Sequence, residues 1–168
     1  MKAHDCGDCP LHPNRRTFLS QATVAVASAL AALAVSTELA RAMPVSFTHA
    51  LGRHDDTRQY AIPEQDGVQI DREAEVILVR WQHAVYAFAL SCPHQRTMLR
   101  WRPDDARFQC PKHKSKYRPD GVFIEGRATR GMDRHAITRT DDAVQVDLAV
   151  LFKQDKDPAG WDAAVVRL

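Results

Sequence analysis

Cysteine is scarce in this chain: there are four in 168 residues, and two of them, Cys6 and Cys9, precede a pair of arginines near the N-terminus. No glycine-rich phosphate loop and no nucleophile–base constellation is present, so the chain by itself is not expected to turn over a substrate. Internal repeats and low-complexity tracts are absent beyond the N-terminal segment, which excludes a repeat architecture. The formal net charge of +2 singles out no class of partner. The most apolar run, residues 18–35, is Ala-rich and interrupted by Ser20, Gln21 and Thr23. It falls short of the about 20 strongly apolar residues that a membrane-spanning helix needs. What is left, 45% hydrophobic and 26% charged, suits one ordinary globular domain with an N-terminal addition.

That addition reads as a targeting segment. Asn14-Arg15-Arg16-Thr17-Phe18-Leu19 has the paired arginines of a twin-arginine signal, Ala22–Val35 follows as a weakly apolar run, and Ala40-Arg41-Ala42 is an A-x-A cleavage pattern. The expectation is a signal peptide over residues 1–42, with export to the periplasm and a mature domain over 43–168. Retention of residues 18–35 as an inner-membrane anchor is the alternative. Cys6-x-x-Cys9, flanked by His4 and His12, could suggest a metal or redox site. It lies in the part expected to be removed and is given no role in the mature protein.

The stretch from Cys92 to Tyr117 organises the rest. Cys92-Pro93-His94 is followed, after residues 95–109, by Cys110-Pro111-Lys112-His113. Two thiolates and two imidazoles make one four-ligand metal set, each half a short loop whose proline helps fix the backbone. A structural zinc site also uses two Cys and two His, but it usually opens with a Cys pair and closes with a His pair. Alternating Cys/His, Cys/His fits zinc poorly, and a zinc-stabilised binding module without redox role remains only as an alternative.

The spacing resembles the Rieske iron–sulfur family, in which two Cys hold one iron of a [2Fe-2S] cluster and two His the other. The run Cys110-Pro111-Lys112-His113-Lys114-Ser115-Lys116-Tyr117 resembles the family's second loop, Cys-Pro-x-His-x-Ser-x-Tyr/Phe. The resemblance implies that Cys92, His94, Cys110 and His113 are ligands. It also implies that the hydroxyls of Ser115 and Tyr117 donate to cluster or ligand sulfur, which raises the potential. With both mature cysteines so assigned, no structural disulfide is expected despite the oxidising compartment.

The departures from the family pattern are as informative. Quinol-oxidising relatives carry one further Cys in each loop, joined as a disulfide; Thr97 and Lys112 stand at the corresponding positions. Arg96 and Lys114 replace frequent glycines. The stretch from Gly126 to Met132 resembles the family's proline-rich covering loop without its prolines, so packing and hydrogen bonds are expected to hold it.

The remaining pattern is mostly β. Strands are expected at 59–62, 68–70, 75–81, 84–90, 107–109, 122–125, 135–138 and 143–148, with a hairpin turn near Gln82-His83. Asp157-Pro158 is expected to start a short C-terminal helix running to about Val166. The pattern alone gives a small all-β domain. The resemblance makes it an antiparallel Rieske-type β base with an inserted cluster-binding subdomain at about 90–130.

Charge is uneven within this domain. Between Arg96 and Arg134 eleven Lys and Arg stand against five acids. A basic cluster end docking an acidic redox partner is expected, with no role for nucleic acid. His49, His54, His83 and His135 lack ligand spacing and are read as ordinary histidines. Trp81, Trp101 and Trp161 are read as packing residues, with Trp101 a candidate shield for the cluster. The function these features support is one-electron transfer by the small subunit of an exported oxidoreductase. Arsenite-oxidase-like enzymes are the family example, and the Rieske subunit of a quinol–cytochrome c reductase is the alternative.

Overall fold

In the computed structural model, residues 43–168 are described; the leader read at 1–42, with Cys6, Cys9 and the run 18–35, lies outside the described residues. The described chain is almost entirely β. A large sheet is built from β1 (Val45–Phe47), β2 (Gly52–His54), β3 (Thr57–Ala61), β4 (Gly67–Asp71), β5 (Val76–Trp81) and β6 (Ala84–Ala89). It is completed by β11 (Arg134–Thr140), β12 (Ala143–Phe152) and β13 (Val166–Arg167). Its order is β1-β4-β5-β6-β11-β12-β3-β2, with β13 also pairing to β6. A second sheet, β10-β9-β8-β7, comprises β7 (Arg100–Arg102), β8 (Arg107–Gln109), β9 (Lys116–Tyr117) and β10 (Phe123–Glu125).

The hairpin expected at the centre is present, and its turn residues Gln82 and His83 both take positive φ, 48° and 62°. Such a turn matches the right-handed twist of the flanking strands. The base is antiparallel with one correction: edge strand β1 runs parallel to β4, pairing Val45 with Val68 and Phe47 with Ile70.

The helix is also shorter than expected. It spans Pro158–Ala163, capped by the Asp157 carboxylate accepting from the Gly160 N–H at 2.9 Å. The β-branched Val165-Val166 pair then leaves the helix, and Val166 joins β6 opposite Val85.

Strand β5 explains how the two sheets share one interior. Val76, Ile77, Leu78 and Val79 are all buried to 1% exposure or less. Because successive strand side chains point to opposite faces, both faces of β5 must be covered. Ile77 and Val79 pack toward Phe88, Leu90, Trp101 and Phe108 on the side of the second sheet. Val76 and Leu78 pack toward Tyr60, Ile137, Val144 and Val146 in the base. Each such burial is worth about 1.5–3 kcal/mol.

A buried cation ties the C-terminal segment to this core. The Arg134 guanidinium lies 3.5 Å from the Trp161 ring and 4.9 Å from that of Tyr86. It donates to the carbonyls of Trp161 at 2.7 Å and Asp120 at 2.8 Å. Burial pulls its pKa down to about 10, so it stays charged at neutral pH.

Candidate metal centre

Two loops, one leaving β6 and one leaving β8, form the tip of the second sheet. They close in the same way. The Cys92 N–H donates to the Thr97 carbonyl at 2.8 Å and the Arg96 N–H to the Cys92 carbonyl at 2.9 Å. At the second loop the Cys110 N–H donates to Ser115 at 2.8 Å and the Lys114 N–H to Cys110 at 2.9 Å. Both backbone groups of each cysteine are thus spent on closing its loop. The fifth residue of each loop, Arg96 at φ 50° and Lys114 at φ 56°, is left-handed. These are the two positions where the sequence has a long cation in place of glycine. The backbone keeps the glycine conformation, and the side chains carry its strain.

The four predicted metal residues come together in two pairs. Cys92 and Cys110 are each 1% exposed and share one apolar cluster with Trp101, Phe108 and Tyr117. Neither is joined in a disulfide. His94 and His113 lie half-buried toward the surface, ring centroids 4.7 Å apart and nearly perpendicular. Their Nδ1 atoms are 3.2 Å apart. Two nitrogens on a single tetrahedral ion, at about 2.0–2.1 Å each, stand about 3.3 Å apart. The imidazole pair therefore fits one metal ion. Among the described residues no three His, Cys, Asp or Glu side chains converge as a single-ion site. The buried cysteines and the outward-lying imidazoles match the order in which a two-iron group takes two Cys on one iron and two His on the other. Partial burial, then the positive charges of His94, Lys112 and Arg127, holds the His113 imidazole below its usual value. That favours the neutral form in which imidazole binds metal.

Ser115 and Tyr117 lie against this centre. The Tyr117 hydroxyl is 3.3 Å from Cys92 Sγ. Burial and that sulfur contact push its pKa up, so it keeps its proton as a donor. Ser115 is fully buried, and its Oγ accepts from the Ala128 N–H at 3.0 Å. Trp101 packs at 4.7 Å from Phe108 beside the cysteines and donates Nε1–H to the Met43 carbonyl at 2.9 Å. His135 is a core residue of β11, 7% exposed.

The covering loop is held without proline. Gly126, at φ +116°, presses on Ser115 so closely that a Cβ there would lie 2.4 Å from the Ser115 Cα. The Gly131 N–H donates to Gln154 Oε1 at 2.7 Å. Arg130 pairs with Asp133, and its Nε lies 3.1 Å from Asp155. Sequence reasoning placed the loop but missed Gln154 and the specific need for Gly126. Gln154 is 23 residues from its partner, and no local pattern marks it.

The family model for the Rieske [2Fe-2S] domain matches residues 53–136. The chain is 36% identical over 58 residues to the cytochrome b6-f complex iron-sulfur subunit 3 of Nostoc sp., covering 33% of each protein. It is 35% identical over 54 residues to iron-sulfur subunit 1 of the same kind of complex from Synechocystis sp., covering 32% of this chain and 30% of that one. The match thus spans about a third of the length of these curated relatives. Among solved structures, the cyanobacterial plasma membrane Rieske protein from Synechocystis aligns with 18% identity and a TM-score of 0.41, over 60% of this chain and 99% of that one.

Proposed function

The chain belongs to the Rieske [2Fe-2S] family, and on that premise we propose that Cys92, His94, Cys110 and His113 hold its [2Fe-2S] cluster. The protein then passes single electrons as the small subunit of an exported oxidoreductase complex. The observation that carries this reading is the edge-to-face pairing of two imidazoles, Nδ1 atoms 3.2 Å apart, on matching loops that also present two buried cysteines. Bound there, the cluster supplies a one-electron couple that His ligation sets at about −150 to +300 mV.

The chain's own residues do the rest. The Tyr117 hydroxyl donates to Cys92 Sγ and draws charge off the sulfur, which favours the electron-rich state. Ser115, buried beside Tyr117, is assigned the same part by its place in the second loop. Lys112 and Lys114, on either side of His113, add positive charge in the same sense. With Nδ1 turned inward on each imidazole, Nε2 faces away from the pair, where a proton can be released or taken up. The stretch Gly126–Met132 packs on Ser115, with the Ala128 N–H donating to its Oγ.

Residues 1–42 carry the protein to the periplasm by the twin-arginine route. They then either leave at Ala42 or stay as an anchor through 18–35. No helix among the described residues is long and apolar enough to cross a membrane. The second reading is a subunit of a membrane quinol–cytochrome reductase. Its support is that the curated relatives are named as cytochrome b6-f subunits; Thr97 and Lys112 at the disulfide positions weigh against it. The test is metal analysis and EPR of dithionite-reduced exported protein, then a potential titration and fractionation of the cells. Two irons per chain with a reducible Rieske-type signal are expected. Zinc without an EPR signal refutes the electron-transfer reading, and a potential at the top of the range favours the reductase subunit.

A further inference from the structure

Beside the imidazole pair lies a concave pocket of about 370 Å³, bounded by His94, by the covering loop and by the segment after β12. Its wall is cationic: Arg127 and Arg130 from the loop, Lys153 and Lys156 from the segment, against a single acid, Asp155. These cations are not equivalent. Arg130 is 13% exposed at its side chain and satisfied by Asp133 and Asp155. Its charge is locally cancelled, and its part is to fix the loop. Arg127, Lys153 and Lys156 form no ion pair among the described residues, and all three are exposed.

Three unpaired cations around a concavity concentrate positive potential more than the same charges on a convex face, because low-dielectric walls focus the field. The position matters too. His94 is part of the pocket lining. A group bound here therefore stands next to that imidazole, whose ring lies 4.7 Å from that of His113. The cations come from two separate stretches of chain, held together by the Arg130–Asp155 pair and by the Gln154–Gly131 hydrogen bond.

We infer that this pocket is the docking socket for a carboxylate-bearing protrusion of the redox partner, which Arg127, Lys153 and Lys156 hold beside His94. The inference rests on the electron-transfer reading and narrows it to one side of the cluster tip. Complementary charge at such a rim acts mainly on encounter rate and on orientation.

The experiment uses the cluster-loaded protein and a fluorescein-labelled peptide carrying four consecutive glutamates, with binding read by anisotropy at low salt. The double variant Lys153→Glu/Lys156→Glu is compared with Arg139→Glu/Arg167→Glu, which makes the same change in net charge at exposed positions away from the pocket. EPR of each sample reports the cluster. The pocket variant is expected to weaken binding by about tenfold or more and the control by less than about threefold, since local complementarity outweighs net charge. Equal weakening by both variants, with intact EPR signals, overturns the socket while leaving electron transfer standing. Displacement of the peptide by inorganic phosphate at comparable concentration also overturns it, because the pocket is then a site for small oxyanions. Loss of the cluster signal from the unmodified protein is a separate result that removes the underlying reading.

Discussion

Replacing Gly126 with alanine tests whether the proline-free covering loop depends on one close backbone contact. At φ +116° an L side chain is strained wherever it points, and that dihedral alone costs about 1–3 kcal/mol. The new Cβ would also lie 2.4 Å from the Ser115 Cα and 2.8 Å from its backbone nitrogen. Neither atom can rotate away, so the overlap is relieved only by moving the loop or the Ser115 backbone, at about 1–3 kcal/mol more. The total, about 2–6 kcal/mol, is a large share of the about 5–15 kcal/mol that holds a domain together. If the loop lifts instead, the Ala128 N–H leaves Ser115 Oγ and water reaches the cysteines.

The measurement is anaerobic urea denaturation of the cluster-loaded protein followed by circular dichroism, with iron content determined on the same samples. A loss of at least about 2 kcal/mol, or substoichiometric iron, is expected. Gly52→Ala is the control: its φ is not positive and its Cβ would meet nothing closer than Gln59 Oε1 at 3.4 Å. It should change stability by no more than about 0.5 kcal/mol. Full iron loading and unchanged stability in Gly126→Ala would refute the reasoning.

Three further outcomes are expected. Lys114→Gly relieves a left-handed long side chain at φ 56°; about 1–2 kcal/mol of strain less about 0.5–1 for glycine's unfolded-state entropy should leave a net gain in denaturation midpoint. Tyr117→Phe removes the donor to Cys92 Sγ. It should lower the potential in a redox titration by about 40 mV if about 1 kcal/mol favours the reduced state, and an unchanged potential would deny the hydroxyl its role. His135 is held below its ordinary value of 6.5 by burial, opposed by Asp147. The unfolded chain therefore binds this proton at a higher pH than the fold does, so stability is full above pH 6.5 and declines as pH falls below it. His135→Gln should flatten that acid-side slope, with Asp147 and Arg134 left in place around the site; parallel slopes would show that His135 does not set it.

The central stretch was legible because its chemistry is local. Cys92, His94, Cys110 and His113 lie within a few residues of two prolines, and the loops that present them close on themselves. The core strands were legible for a similar reason, since four successive buried side chains in β5 leave an unbroken apolar run. What escaped was non-local or very short. Lys116–Tyr117 is a strand of two residues recognisable only by its partners. Strand β1 is exposed throughout, so nothing in its pattern separates it from a loop, and its parallel direction is set by where the chain enters. The helix was overextended because Asp157-Pro158 marks its start clearly, whereas its end is decided by the pairing of Val166 with a strand 81 positions earlier. The left-handed backbone at Arg96 and Lys114 is invisible in a cationic side chain. Only the resemblance pointed to those positions.

The covering loop hangs on Gln154, and the Arg134 guanidinium is held between the Trp161 and Asp120 carbonyls. None of the four metal residues belongs to the stretch that follows β12, yet that stretch fastens the loop beside them. Losing residues 153–168 would therefore leave Cys92, His94, Cys110 and His113 in the chain and take away the side chains that hold their surroundings in place.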